Sequence, residues 1–190
     1  LHKSIEKFCP AISFEDVLLW GAGKEKLQAI KETLVGTNNN LSDENIQIIF
    51  QDFLQLLEKE YEHLMVIPTS NTERLFSELR KMGVLVVLNT GYNQVTAYSL
   101  IKKLNWQEGV HYDLLVTASD VKKNRPNPDM ILYAMDKLNI QDADTVIKVG
   151  DSTIDIEEGR NAGCKYNIGV TTGAHTKAQL KSVNPNFIFD

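Results

Sequence analysis

The chain has 190 residues, 43% hydrophobic and 24% charged, a composition typical of one or two globular domains. Its net charge of −5, without a basic stripe, argues against a nucleic-acid partner. No apolar run approaches the length of about 20 residues that a membrane-spanning helix needs. The two cysteines, Cys9 and Cys164, are too few for a disulfide framework, so we expect buried thiols in a cytoplasmic protein.

Residues 1–66 have helical periodicity and contain no strand pattern, which predicts an all-helical module. Ser13, with Asp16 three residues later, has the spacing of a helix N-cap. Gly21-Ala22-Gly23 then interrupts the helical pattern, and Lys24 follows directly. The longest predicted helix comes after a polar loop, and its apolar positions recur at steps typical of a face buried in a core. These positions are Ile46, Ile49, Phe50, Phe53, Leu54, Leu57, Tyr61 and Leu64.

From Pro68 onwards helical and strand patterns alternate, so we expect a domain boundary between residues 66 and 67. The spacing of Ser70 and Glu73 predicts a capped helix start. Short apolar runs predict strands, and the first run is continuous enough to indicate a strand covered on both faces. This alternation predicts an α/β fold with a parallel sheet between helices. The runs lie at residues 84–88, 114–116, 146–149, 168–170 and 187–189.

Polar groups that suit phosphate chemistry follow several of these runs. Thr90 offers a hydroxyl, and the backbone amides loosened by Gly91 can hold an anion. Arg125, in a loop with Lys122 and Lys123, can neutralise a phosphoryl group during its transfer. Each residue alone is also typical of an ordinary turn or of a solvated surface. Their recurrence after apolar runs favours a common site.

The run at 146–149 is followed by two carboxylates, Asp151 and Asp155, and by Ser152, which can cap the next helix. Open α/β sheets bind ligands at the carboxyl ends of their strands. Oxygen ligands clustered at that position suit Mg²⁺, which usually keeps several waters and a substrate phosphate. The alternative is that Asp151 merely ends a strand and that Asp155 merely favours a helix start.

The order of these groups is that of a known family. Thr90, then Arg125-Pro126-x-Pro128-Asp129, then Gly150-Asp151-Ser152-x-x-Asp155 resemble the second, third and fourth motifs of the haloacid dehalogenase superfamily. Leu88-Asn89-Thr90-Gly91-Tyr92 and Gly169-Val170-x-x-Gly173-Ala174-His175 look like the phosphonoacetaldehyde hydrolase (phosphonatase) branch and its phosphonatase-like relatives.

The resemblance covers essentially the whole chain. It implies a Rossmann-like parallel-sheet core and a small all-helical cap, which would be residues 1–66. It also implies an Mg²⁺-dependent hydrolase that acts on a small phosphorylated or phosphonate metabolite, and a possible homodimer that pairs through the cap, for which the apolar stripe near Phe50 could serve.

The resemblance also assigns roles within the core. Thr90, with Gly91, would hydrogen-bond the phosphoryl oxygens, and Arg125 would fill a cationic position that is lysine in most of the superfamily. Asp151 would ligate Mg²⁺, and Asp155 would bind the metal or orient its ligands and water. His175 is either a feature of the branch near the site or a loop histidine.

In the cap, Gly21 and Lys24 lie where the family places its substrate-specificity loop. Phosphonatases use a cap lysine to form a Schiff base with their aldehyde substrate, and Lys24 is the candidate by position. The branch pattern has a histidine three residues after that lysine, whereas this chain has Leu27. A relative that hydrolyses a phosphate monoester would need only positioning and charge neutralisation there.

The superfamily's first motif, a strand that ends in the nucleophilic aspartate, has no match in residues 1–190. The nearest pattern, Phe14-Glu15-Asp16, has no strand before it. We therefore expect about 20 to 30 further residues before Leu1, the length of a strand with its loop. A sheet without its central strand would leave unpaired backbone groups and exposed apolar faces. Two hypotheses follow: a phosphohydrolase that acts through an aspartyl-phosphate, or a non-catalytic homologue that binds a phosphate or metabolite.

Overall fold

The computed structural model describes residues 1–63 and 65–190, so Leu64 of the predicted apolar stripe lies outside the described residues. The first half of the described chain is helical. Its helices are α1 (His2–Ile5), α2 (Phe14–Gly21), α3 (Lys26–Gly36) and α4 (Asp43–His63). As expected, Ser13 caps α2: its hydroxyl oxygen accepts from the Asp16 amide at 3.1 Å, and its own amide donates to the Asp16 carboxylate at 2.9 Å.

Helices α1 to α4 have their own apolar interior. Ile49 of α4 is fully buried and Phe53 nearly so, which confirms that the α4 stripe belongs to a core. Because these side chains face inward, that part of the stripe is not available to a second copy of the chain. The buried cluster consists of Ile5, Cys9, Ile12, Val17, Ile30, Leu34, Ile46 and Ile49.

The remaining elements alternate between helices and strands. They are α5 (Thr72–Lys81), β1 (Val87–Thr90), α6 (Gln94–Lys103), β2 (Leu114–Thr117), α7 (Asp129–Lys137), β3 (Ile147–Gly150), α8 (Thr153–Ala162), β4 (Tyr166–Val170), α9 (Lys177–Ser182) and β5 (Phe187–Phe189). The predicted cap at Ser70 is wrong. Helix α5 begins at Thr72, and the residue before it, Asn71, is the N-cap, with a left-handed φ of 65° and no side-chain cap bond.

All strand pairs are parallel, which confirms the expected fold class, but the pairs form two sheets. Strand β1 pairs with β2 in register from Val87 opposite Leu114, and β3, β4 and β5 form the other sheet. In the described part of the chain, no backbone pairing joins β1 to β3. Ile147 and Val149 of β3 are each 54% exposed, so one face of this strand lies open.

The first predicted strand is shorter than its apolar run, and it is not covered on both faces. Val84 and Leu85 are 45% and 46% exposed and precede the strand. The Val86 amide donates to the Asp113 carboxylate at 2.8 Å instead of to a neighbouring strand. The Val86 carbonyl accepts from the Asp113 amide at 2.7 Å, so backbone bonding to the chain before β2 extends one residue beyond β1, to Val86.

Side chains connect the two sheets. The Asn89 amide of β1 donates to both carboxylate oxygens of Glu158, at 3.1 and 3.3 Å. Glu158 of α8 is fully buried, and the Lys148 ammonium of β3 binds it at 2.7 Å. The side-chain carbonyl of Asn89 is buried and has no partner among the residues that the structure describes.

Cys9 and Cys164 are both free and buried, as expected for apolar thiols. A search of the described residues for a helix with the length and hydropathy of a membrane span finds none.

Candidate functional site

The carboxyl end of β1 meets the arginine loop and the cap loop. A Cβ placed on Gly91 would lie 2.6 Å from the Arg125 guanidinium and 3.8 Å from the Lys24 carbonyl. The absence of a side chain at Gly91 therefore lets three distant parts of the sequence meet. Beside it, the Thr90 hydroxyl accepts from the Tyr92 amide at 3.2 Å, so its proton remains free to donate.

Asp155 binds the basic groups of the site. One carboxylate oxygen accepts from the Arg125 guanidinium at 2.6 Å and lies 3.2 Å from the Lys148 ammonium. The other accepts from the hydroxyl of Ser152 at 2.6 Å and from its amide at 3.2 Å. Burial alone would raise the pKa of Asp155, but Lys148, Arg125 and the Ser152 hydrogen bond outweigh burial and lower it. Asp155 is therefore an ionised, fully bonded carboxylate.

Asp151 has a different environment. The loop after β4 wraps around it: the Ala174 amide donates to its Oδ2 at 2.6 Å, and the His175 amide donates to its carbonyl at 3.0 Å. The Nδ1 of His175 accepts from the Thr153 amide at 2.9 Å, so this histidine caps the start of α8 and has a structural role in the loop. The described contacts of the Asp151 carboxylate involve Oδ2, which leaves Oδ1 for a cation.

One carboxylate of the site, that of Asp151, is suited to bind Mg²⁺. No group of three metal-binding side chains occurs among the described residues. Asp151 offers a hard oxygen of the kind that Mg²⁺ prefers, and a phosphate, waters and a further carboxylate would complete its shell. Both oxygens of Asp155 are already bonded, so Asp155 fits an orienting role better than direct ligation.

The cap loop between α2 and α3 packs on the start of α8. Gly23 has a left-handed φ of 77°, and a Cβ on it would lie 2.8 Å from the Ser152 hydroxyl. Gly21, by contrast, is buried within the cap, where a Cβ would meet Ala29 at 3.2 Å. The structure thus places Gly21 in the packing of α2 against α3, and Gly23 at the surface that faces the core.

The two lysines near the start of α3, Lys24 and Lys26, have different partners. The ammonium of Lys24 pairs with Glu32 inside the cap. Lys26, which the sequence interpretation missed, lies over the Tyr92 ring with its ammonium 5.4 Å from the ring centroid. Burial lowers the pKa of Lys26, and Arg125 lowers it further, while Glu25 and Asp151 oppose the shift. Lysines two positions apart at a helix start have no sequence signal that tells which one faces the site.

Tyr92 also connects the cap to the core. Its hydroxyl and that of Tyr61 in α4 are 2.9 Å apart, and the two rings meet edge to face. Burial, followed by this contact, raises the pKa of Tyr92 far above its ordinary value, so Tyr92 stays protonated. The pair holds the ring on which Lys26 rests.

Parallel strands, with a hydroxyl, a guanidinium and carboxylates near their ends, and a helical module together define a capped α/β fold. The family model described as "Haloacid dehalogenase-like hydrolase" matches residues 23–170. The chain belongs to this family of hydrolases.

Individual relatives agree with the family match. The phosphonoacetaldehyde hydrolase of Bacillus cereus (strain AH187) is 31% identical over 133 residues, 70% of this chain and 49% of that protein. The phosphonoacetaldehyde hydrolase of Latilactobacillus sakei subsp. sakei (strain 23K) is 40% identical over 85 residues, 45% of this chain and 32% of that protein. The matches thus cover 49% and 32% of these two relatives, and they place the chain in the phosphonatase-like branch.

Solved structures share the fold. A hydrolase from Pseudomonas syringae has a TM-score of 0.84 at 18% identity, with 99% of this chain and 83% of that chain covered. A phosphonoacetaldehyde hydrolase-like protein from Oleispira antarctica has a TM-score of 0.81 at 21% identity, with 98% and 78% covered. These likenesses establish the capped parallel-sheet fold.

Proposed function

We propose that the protein is an Mg²⁺-dependent phosphohydrolase that acts on a small phosphorylated or phosphonate metabolite. The observation that carries the proposal is the meeting of Gly91, Arg125 and the cap loop beside Asp155. In this proposal Thr90 donates its free hydroxyl proton to a phosphoryl oxygen. Arg125 neutralises phosphoryl charge, and its bond to Asp155 fixes its direction.

Asp151 would hold the metal ion, and Asp155 would orient the groups around it. When bound, Mg²⁺ supplies positive charge that polarises the phosphoryl group. The amide of Ala174 fixes the Asp151 carboxylate through Oδ2, so its other oxygen has a defined direction before any cation arrives. Such preorganisation is what electrostatic catalysis requires.

The nucleophile would come from a segment outside residues 1–190 that forms a strand between β1 and β3. The open face of β3 and the unpartnered carbonyl of Asn89 support a strand in that position. An aspartate at its end would attack phosphorus as the bond to the leaving oxygen breaks, and the leaving oxygen would take a proton from water. A second water would then hydrolyse the aspartyl-phosphate, which releases phosphate and restores the carboxylate.

Residues 1–66 would act as the cap that selects the substrate. The pairing of Lys24 with Glu32 supports a phosphate ester more than an imine-forming aldehyde, because an ammonium held by a carboxylate is a poor nucleophile. Leu27, where the branch pattern has histidine, supports the same choice. Reduction with borohydride in the presence of phosphonoacetaldehyde would trap a Schiff base if Lys24 or its neighbour forms one.

The decisive experiment measures phosphate release from small phosphate esters by the full-length protein with Mg²⁺. Asp151→Asn should abolish turnover, whereas Asp136→Asn, a matched change on the exposed side of α7, should leave turnover intact. Wild-type turnover by Asp151→Asn protein would rule out the mechanism. Tight binding of inorganic phosphate without turnover by the wild-type protein would identify a non-catalytic homologue instead.

A further inference from the structure

The charges around the site are almost completely paired within the protein. Arg125 is paired with Asp155, Lys148 with Glu158 and Asp155, and Lys24 with Glu32. Lys26 differs from these cations, because none of the ion pairs among the described residues includes it. Its ammonium lies over the Tyr92 ring and donates at 3.4 Å to the carbonyl of Lys24.

A half-buried ammonium that pairs with no carboxylate is unfavourable unless another anion compensates its charge. Its neighbour Glu25 acts on Lys26 without forming an ion pair with it, since the two oxygens of Glu25 accept from the Leu27 and Gln28 amides at the start of α3. The lowered pKa of Lys26 agrees with this environment, and Asp151 is one of the charges that affect it. The ammonium lies over the ring of Tyr92, two residues after Thr90, which brings Lys26 beside the end of β1.

The position of Lys26 is fixed before a ligand arrives. Tyr92 follows Thr90 and Gly91 at the end of β1, and its ring supports the ammonium. Tyr61 in turn holds the Tyr92 hydroxyl. The cation thus belongs to the cap, whereas the residues that would bind the phosphoryl group belong to the core. A cation on a different element from the phosphoryl-binding residues suits a different group of the substrate.

We infer that Lys26 binds a second anionic group of the substrate, so that the natural substrate is a short phosphorylated or phosphonate compound that also carries a carboxylate. This inference rests on the proposed function for the location of the phosphoryl group. It assigns selectivity to Lys26, whereas the phosphoryl group is held by Thr90 and Arg125.

The test compares two phosphonates of equal chain length, 2-carboxyethylphosphonate and propylphosphonate, whose affinities for the full-length protein are measured calorimetrically with Mg²⁺. We expect the carboxylated compound to bind about tenfold more tightly or better, as for a charge-assisted hydrogen bond. Lys26→Met should remove this preference, because it should weaken binding of the carboxylated compound far more than binding of propylphosphonate. Lys59→Met, a matched change at an exposed cap lysine, should retain the preference.

Equal affinity of the wild-type protein for both phosphonates would overturn the inference. So would a Lys26→Met protein that binds both more weakly by the same factor, because Lys26 would then serve the phosphoryl group. Lys26→Arg, which keeps the charge, should keep the preference and serves if the methionine variant does not fold. Preference for the carboxylated compound without any hydrolysis of phosphate esters would contradict the proposed function and leave the inference standing.

Discussion

Charged side chains in this protein form short ion pairs, and the effect of each pair on stability depends on how deeply it is buried. Glu158 is fully buried and depends on Lys148 and Asn89, whereas Lys81 and Glu78 form an ion pair of similar length on an exposed surface. The same type of contact therefore has very different consequences at the two places, because removing one member of a buried pair leaves a desolvated charge.

Lys148→Met should lower the free energy of unfolding by about 3–5 kcal/mol, since the fully buried Glu158 would lose its ammonium partner. Lys81→Met, the control in an exposed pair, should lower it by less than about 1 kcal/mol. Urea unfolding of the two variants measures the difference. Lys148→Met combined with Glu158→Met should recover much of the loss, and equal losses for the two single variants would contradict the argument.

Cys164 gives the protein a pH dependence on the alkaline side. Burial raises the pKa of its thiol to about 11, while an unfolded chain has about 8.5. The unfolded state therefore loses its proton first, and the stability that this thiol contributes is complete below about pH 8.5 and declines as pH rises towards 11. Urea midpoints measured from pH 8 to pH 10.5 should fall more steeply for the wild-type protein than for Cys164→Ala, and parallel profiles would refute this assignment.

At the scale of elements, the loop between α2 and α3 controls how the cap sits on the core. Gly23→Ala would add a left-handed strain of about 1–2 kcal/mol and also place a methyl group against Ser152. Gly83→Ala has nearly the same φ, 78°, but meets nothing within 4 Å. Both variants should lose similar stability from strain, and only Gly23→Ala should bind inorganic phosphate more weakly in calorimetry. Equal binding by both would show that the contact with Ser152 does not matter.

The capping signals show what sequence alone can predict at this scale. Ser13 and Ser152 were expected to cap helices. The Ser13 oxygen accepts from the Asp16 amide, whereas the Ser152 hydroxyl donates to the Asp155 carboxylate. The same kind of spacing failed at Ser70, because the N-cap of α5 is a left-handed Asn71 without a side-chain bond. The capping-box spacing describes one way to begin a helix, and the backbone can begin a helix in other ways of similar energy.

The candidate site was predictable where it depends on strand ends and not where it depends on side-chain direction. Thr90, Arg125, Asp151 and Asp155 were selected because they follow apolar runs, and the structure brings Arg125 to Asp155. Which cap lysine enters the site depends on the partner that each finds, Glu32 for Lys24 and Tyr92 for Lys26. Glu32 lies eight residues beyond Lys24, and the periodicity of the sequence does not predict this pairing.

At the scale of the whole molecule, the division into two sheets is the main departure from a single covered sheet. The alternation of helices and strands predicted that the strands are parallel. An apolar run, however, does not predict which strand pairs with it. Strand β4 is paired on both edges, whereas β1 and β3 each have one unpaired edge. These open edges lie where the proposed nucleophile-bearing strand would fit.

Hydrogen exchange tests that placement directly. In a protein limited to residues 1–190, the amides of β3 that do not bond β4 should exchange much faster than those of β4. In the full-length protein the additional strand should protect them, because parallel neighbours on both sides would bind them. Unchanged exchange rates at β3 would place the nucleophile elsewhere.

The self-contained interior of the cap has a consequence for how such enzymes diversify. Its buried cluster is built entirely from residues 5–49, so mutations there do not disturb the packing of the strands. The cap touches the α/β core through a few residues, among them Gly23, Lys26 and Tyr61. Under the proposed function, changes in this small set would alter substrate preference, while the core residues that bind the phosphoryl group stay unchanged.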